Sequence, residues 1–229
     1  METEQRVVRR SGLFSRLLFA LWCVALLLLI YTLIRQNLTS ELARRWPWKL
    51  RLLDRQSAVA AVLATGGASL ARAQYARTVR PMIGYFGRVG ADHGPANQLA
   101  WACHMFNGGQ DAAVVTEVSY RIAYASAARA RGASDSSGWV MHPEAVASIK
   151  RSGLVNREDL TLTNIGPGLP LSASQPLFMA WFAERALRDV ENVFVKVRVL
   201  DRTGDTHERV INLLKGANRS PSHPDPPIL

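Results

Sequence analysis

The chain has 229 residues and a formal net charge of +10, long enough for one ordinary domain plus an anchor. Residues 1–79 hold twelve Lys/Arg against four Asp/Glu, whereas residues 80–215 hold fifteen against thirteen. A nucleic-acid-binding domain carries its basic face on the folded module itself, so this distribution argues against nucleic acid as a partner.

The first strong signal in chain order is "LLFALWCVALLLLIYTLI", Leu17 to Ile34, eighteen residues without a charge. As a helix it is ~27 Å long at ~1.5 Å per residue, which suits the hydrocarbon core of a bilayer. Residues 1–16 are a basic flank in which Arg6, Arg9 and Arg10 also fit the n-region of a cleaved signal peptide. Against cleavage, the apolar run exceeds the usual ~7–15 residues and no A-x-A-like site follows it. We read residues 17–34 as a retained, single-pass transmembrane helix in the cell membrane.

Residues 35–79 read as a basic juxtamembrane stretch followed by an Ala-rich helical spacer. Arg44, Arg45, Trp46, Trp48, Lys49 and Arg51 are the candidate membrane-interface residues. Indole rings favour the headgroup level, and each nearby cation gains ~1 kcal/mol from anionic lipid. The positive-inside comparison is nearly balanced, with Arg6, Arg9, Arg10 and Arg16 before the span and Arg35, Arg44, Arg45, Lys49 and Arg51 after it. The basic, Trp-rich segment tips the choice toward a cytoplasmic domain. Cys23 lies in the span and Cys103 is alone in the domain, so no intradomain disulfide forms, as in a reducing compartment. The Ala-rich stretch should be helical with a break or kink at Gly66-Gly67, and Pro81 ends it. Gln56 to Ala71 is uncharged, which also allows a second membrane segment. Its length and mild apolarity favour a spacer.

From residue 82 the apolar period becomes two. "QLAWACHMF" (98–106) aligns Leu99, Trp101, Cys103 and Met105 on one face, and Val118, Tyr120 and Ile122 continue after Asn107-Gly108-Gly109. That turn tolerates the positive φ of a hairpin. "HPEAVASIKRSG" (142–153) reads as a helix opened by Pro143 and closed by Gly153. "LTLTNI" and "LFMAWF" (177–182) are strands, and "NVFVKVRVL" (192–200) returns through "DRTG" as a hairpin. Short strands between Gly/Pro turns predict a mainly β domain over residues 80–215, a β-sandwich of immunoglobulin-like class. Trp101, Val118, Tyr120, Trp181, Val195 and Val197 are the expected shared core. Residues 125–138 look like a flexible insertion, and residues 216–229 a Pro-rich disordered tail.

"NGGQDAAVVTEVSYRI" (107–122), "RPMIGYF" (80–86) and "DRTGDTHERVI" (201–211) resemble stretches of uncharacterised bacterial membrane-anchored proteins with an immunoglobulin-like β-sandwich module. The Ala- and Arg-rich composition suits a high-GC source such as an actinobacterium. The resemblance implies the fold and brings no activity, because its motifs are turns and core positions.

The search for chemistry yields no catalytic, cofactor-binding or metal-binding residue. His207-Glu208 lacks a second His four positions on, Cys103 and His104 point to opposite faces of a strand, and no G-x-S-x-G elbow or phosphate-loop spacing appears. His104 and His207 read as surface or edge positions, and Glu158-Asp159 as a solvated loop. The resulting expectation is a membrane-anchored protein-binding or scaffolding module, not an enzyme, that meets anionic lipid headgroups and an unknown protein partner. A lipid- or envelope-associated sensor is the alternative; an enzyme with a site invisible in sequence is a third.

Overall fold

The basic N-terminal flank is built into a sheet. The computed structural model describes residues 2–39, 53–173 and 175–226. Its elements in chain order begin with Thr3–Arg9 (β1), Gly12–Asn37 (α1) and Arg55–Thr78 (α2). Ile83–Gly90 (β2), Ala100–Asn107 (β3) and Ala113–Tyr124 (β4) follow, then the helices Ser126–Ala130 (α3) and His142–Arg151 (α4). Leu160–Leu162 (β5), Pro170–Leu171 (β6), Leu177–Ala183 (β7) and the helix Glu184–Asp189 (α5) lead to Val190–Leu200 (β8) and Thr206–Asn212 (β9). The strands form two antiparallel sheets, ordered β1-β9-β8-β4-β6 and β2-β3-β7-β5.

The chain divides into two compact units: Met1–Arg10 with Val79–Leu229, and Ser11–Thr78. In the second unit α2 runs unbroken through Gly66-Gly67, where a break or kink was expected. Gly66 lies against α1, where a Cβ would meet Trp22 Nε1 at 3.5 Å, an ordinary contact distance, and a glycine pair inside a helix costs stability without having to break it.

In the sheet unit, the two sheets share one apolar cluster. Val118, Tyr120 and Ile122 of β4 and Val193, Val195, Val197 and Val199 of β8 meet Trp101, Cys103 and Met105 of β3 and Phe182 of β7. Period two delivers these side chains to one face, and a one-residue slip would expose them all. Trp101 also donates its indole N–H to Leu213 O at 2.8 Å, and its ring lies where a Cβ at Gly87 would stand.

Trp181 departs from the expected core. It is buried in a separate cluster with Ala100, Ala102 and Ala183, on the other face of β3 and β7. "LFMAWFA" is apolar on both faces, so periodicity could not choose between them. A register shift opposite Cys103 and His104 then turns Phe182 inward beside Trp101.

The 107–112 turn also departs from expectation. β3 belongs to one sheet and β4 to the other, so the turn is a crossover rather than a hairpin. Gly108 and Gly109 do not adopt positive φ. Gly109 is instead required by close approach, since a Cβ there would sit 2.7 Å from Arg80 O. Buried Asn107 ties the crossover together: its Oδ1 accepts from Gly109 N at 2.9 Å and Met82 N at 3.1 Å. Its Nδ2 donates to Asp111 O at 2.8 Å.

The β8–β9 hairpin matches the sequence reading, with Gly204 at φ +84°. So does α4, with Pro143 in its first turn and Gly153 at φ +85° just beyond its end. Residues 125–138 contain α3, and Asp135 and Ser136 are fastened to β4 by bonds from Tyr124 N at 2.8 Å and Ile122 N at 3.2 Å. Residues 216–226 are held too. Arg219 donates to Leu187 O and Val190 O at 2.6 Å each; Asp225 Oδ2 accepts from Val89 N at 2.6 Å, and Asp225 N donates to Val89 O at 2.9 Å.

A row of alternating charges crosses the five-stranded sheet. Arg6, Glu208, Arg198 and Glu117 are successive cross-strand partners on β1, β9, β8 and β4. Their contacts are 2.7 Å from Arg6 to Glu208, 2.7 Å from Arg198 to Glu208 and 2.6 Å from Arg198 to Glu117. Glu208 is only 2% exposed. Burial pushes its carboxyl up, but the two guanidinium groups outweigh that and hold it below the usual range. Glu208→Ala leaves two arginines without their shared anion and should cost about 3 kcal/mol in denaturant unfolding. Arg6→Ala, at an exposed side chain, should cost about 1 kcal/mol or less. Equal costs would show that Glu208 is not the centre of the row.

Candidate functional site

The outward face of β2, β3 and β7 gathers aromatic rings that the core does not absorb. Antiparallel pairing sets Gly84 opposite Phe106 and Phe86 opposite His104. Phe106 occupies the space that a Cβ at Gly84 would need, so the glycine lets the ring lie flat on the sheet. Phe86 stacks on His104 with centroids 5.1 Å apart, and His93 stacks on Phe178 at 5.0 Å. His104 meets Phe178 edge-on at 5.4 Å. All five rings are half-buried. Arg88 and Asp92 form a 3.0 Å ion pair beside the patch. An apolar patch with a charged margin has the composition of a protein-contact surface.

The edge strand β2 is partly plugged. Gln5 accepts a hydrogen bond from Ile83 N at 2.8 Å, Arg209 donates to Ile83 O, and Asp225 occupies Val89. By strand parity Tyr85 and Gly87 are the positions between the plugs whose main-chain groups point outward.

His207, expected at the surface, is buried with its Nε2 2.8 Å from Asp201 Oδ2. Asp201 Oδ1 also accepts from Thr203 N, Thr203 Oγ1 and Asp205 N at 2.8, 2.7 and 2.9 Å. Burial pushes the Asp201 carboxyl up, and these hydrogen bonds outweigh it and hold it low. The pair therefore staples the β8–β9 turn, and His207 Nδ1 is buried away from solvent. Asp159 is likewise buried rather than solvated, accepting from Val155 N at 2.8 Å and Arg185 at 3.0 Å. Cys103 lies in the core, where burial pushes its thiol up to about 12, which opposes thiolate formation.

A polar cleft of about 430 Å³ opens between residues 132–137 and α4, lined by Ser134, Ser137, Glu144, Ser148 and Arg151. It holds hydroxyls but no histidine or thiol to activate them. Among the described residues no three His, Cys, Asp or Glu side chains are placed to hold a metal ion. One described helix, α1, is long and apolar enough to cross a membrane. The predicted membrane-interface residues Arg44, Arg45, Trp46, Trp48, Lys49 and Arg51 lie outside the described residues.

Sequence periodicity placed His104 on the right strand but missed its company. His93 and Phe86 come from other segments, and only the β2–β3–β7 register brings them together. Burial lowers the His104 imidazole from its usual 6.5; the neighbouring His93 and Arg88 lower it further, and Asp92 opposes them. The unfolded chain therefore takes up a proton near pH 6.5 that the folded chain resists. This stability is present in full above pH 6.5 and is lost as pH falls below it. The melting temperature should drop between pH 7 and pH 5, and drop less in His104→Phe. Parallel curves for the two proteins would remove His104 as the cause.

No protein-family model, curated protein or solved structure matches the chain.

Proposed function

We propose that the chain is a membrane-anchored protein-binding or scaffolding module, held in the cell membrane by α1, with an immunoglobulin-like β-sandwich as its binding unit. The observation that carries this reading is the half-buried patch of Phe86, His93, His104, Phe106 and Phe178 on the outward face of β2–β3–β7. Aromatic side chains are the usual anchors of protein interfaces. The single apolar cluster shared by both sheets supports the sandwich, and the mostly exposed apolar side chains of α1 support a lipid environment. The basic segment holding Arg44, Arg45, Trp46, Trp48, Lys49 and Arg51 would meet anionic headgroups.

Replacing Leu27 and Leu28 of α1 with Arg should abolish carbonate-resistant membrane retention, since each central Arg costs ~2.5–3.5 kcal/mol on insertion scales. Undiminished retention would remove α1 as the anchor. For the patch, a photo-cross-linking side chain at Phe106 should give a discrete protein adduct in intact membranes. The same probe at exposed Glu158 should not. Identical adduct patterns from both positions would sink the docking role.

A further inference from the structure

The strand that precedes α1 and the strands that follow α2 belong to one folded unit. β1 pairs along β9, and its Arg6 meets buried Glu208 at 2.7 Å. Gln5 donates to Pro81 O and accepts from Ile83 N at 2.8 Å, and Glu2 accepts from Tyr85 Oη at 2.9 Å and from Lys215 Nζ at 2.9 Å. Resting on the reading that α1 crosses the bilayer, we propose that α2 crosses it back. The helices would form a two-pass hairpin, with both flanking segments of the sheet unit on one membrane face and the α1–α2 connection on the other.

Connectivity supplies the first argument. A chain that crosses once in α1 and never returns would leave residues 3–9 and residues 83–212 on opposite faces, with the bilayer between β1 and β9. The observed pairing is possible only if the chain crosses an even number of times between Arg9 and Ile83.

The helices supply the second. Arg72 lies over the Phe14 ring at 4.6 Å, and Gly66 faces Trp22. Advancing along α1 from Phe14 to Trp22 thus means retreating along α2 from Arg72 to Gly66, so the pair is antiparallel. The charges follow the same register. Arg16 and Arg35 bracket eighteen uncharged residues of α1, and Arg55 and Arg72 bracket sixteen of α2. At ~1.5 Å per residue these stretches are ~27 and ~24 Å long. Arg72 falls at the level of the first turn of α1, where its long stem reaches an interface.

Side chains supply the third. α2 is less apolar than α1 and falls short of a span by composition alone, but the hydroxyls in the middle of its uncharged stretch are satisfied within the helix. Thr65 Oγ1 donates to Ala61 O at 2.8 Å and Ser69 Oγ to Thr65 O at 2.9 Å. Thr32 of α1 does the same to Leu28 O at 2.7 Å. Internal satisfaction of polar groups is what the hydrocarbon region demands. Small residues such as Ala58, fully buried, and Gly66 admit close packing of two helices. Val59, Leu63 and Leu70 stay exposed, an apolar surface for lipid.

The test uses the full chain with Cys23→Ala as parent, since buried Cys103 gives only the control background. The exposed positions Glu4, Thr39 and Ser222 are each replaced singly by Cys. A membrane-impermeant maleimide is applied to sealed vesicles of both orientations. The hairpin predicts that Glu4→Cys and Ser222→Cys label from one face and Thr39→Cys from the other. Labelling of Glu4→Cys and Ser222→Cys from opposite faces overturns it, as does labelling of all three from one face. The first failure, in protein that resists carbonate, leaves α1 standing as a single-pass anchor, whereas the second removes the crossing of α1 as well, since Glu4 and Thr39 flank it. Release of the parent by carbonate would overturn both readings together.

Discussion

Glu208 sits between Arg6 and Arg198, and the rest of the chain's organisation follows from that contact. Four strands, among them β1 and β4 far in sequence from the β8–β9 hairpin, meet in one row of alternating charge, each pair directly opposed across the ladder. Opposed charges at that spacing favour this register over a slipped one. Because β1 is the outermost member, the row fixes residues 3–9 to the strand that closes the unit. Everything between Arg10 and Val79 is thereby an insertion whose two ends return to the same body. An apolar helix that looks terminal in the sequence is internal in the fold.

Strand β2 shows how glycine spacing makes room for large rings on both faces of one strand. Gly84 lies under Phe106 on the outward face, and Gly87 lies under Trp101 on the inward face. A side chain at either position would lift a ring off the sheet, loosening the aromatic patch in one case and the shared core in the other. The strand is also an edge, and unpaired edges invite pairing with other chains. Gln5 and Asp225, from opposite ends of the sequence, occupy its two ends. Termini that composition marks as flank and tail therefore occupy the two ends of this edge.

The sequence by itself determined the elements whose cause is local. Eighteen uncharged residues define α1, Pro143 and Gly153 delimit α4, and alternating valines with a Gly204 turn define the β8–β9 hairpin. The inward set Trp101, Val118, Tyr120, Val195 and Val197 follows from period two alone. What only the tertiary structure decided has no local cause. β7 is apolar on both faces, so a register shift against β3 chose Phe182 for the core and left Trp181 outside it. His207 and Asp159 are polar in composition and buried in fact, because each found a charged or hydrogen-bonding partner elsewhere in the chain. The aromatic patch needed three strands in register before its rings could touch. β1 could not be read at all, since a short basic strand carries no apolar period and is recognised only by the buried carboxylate that waits for it on β9.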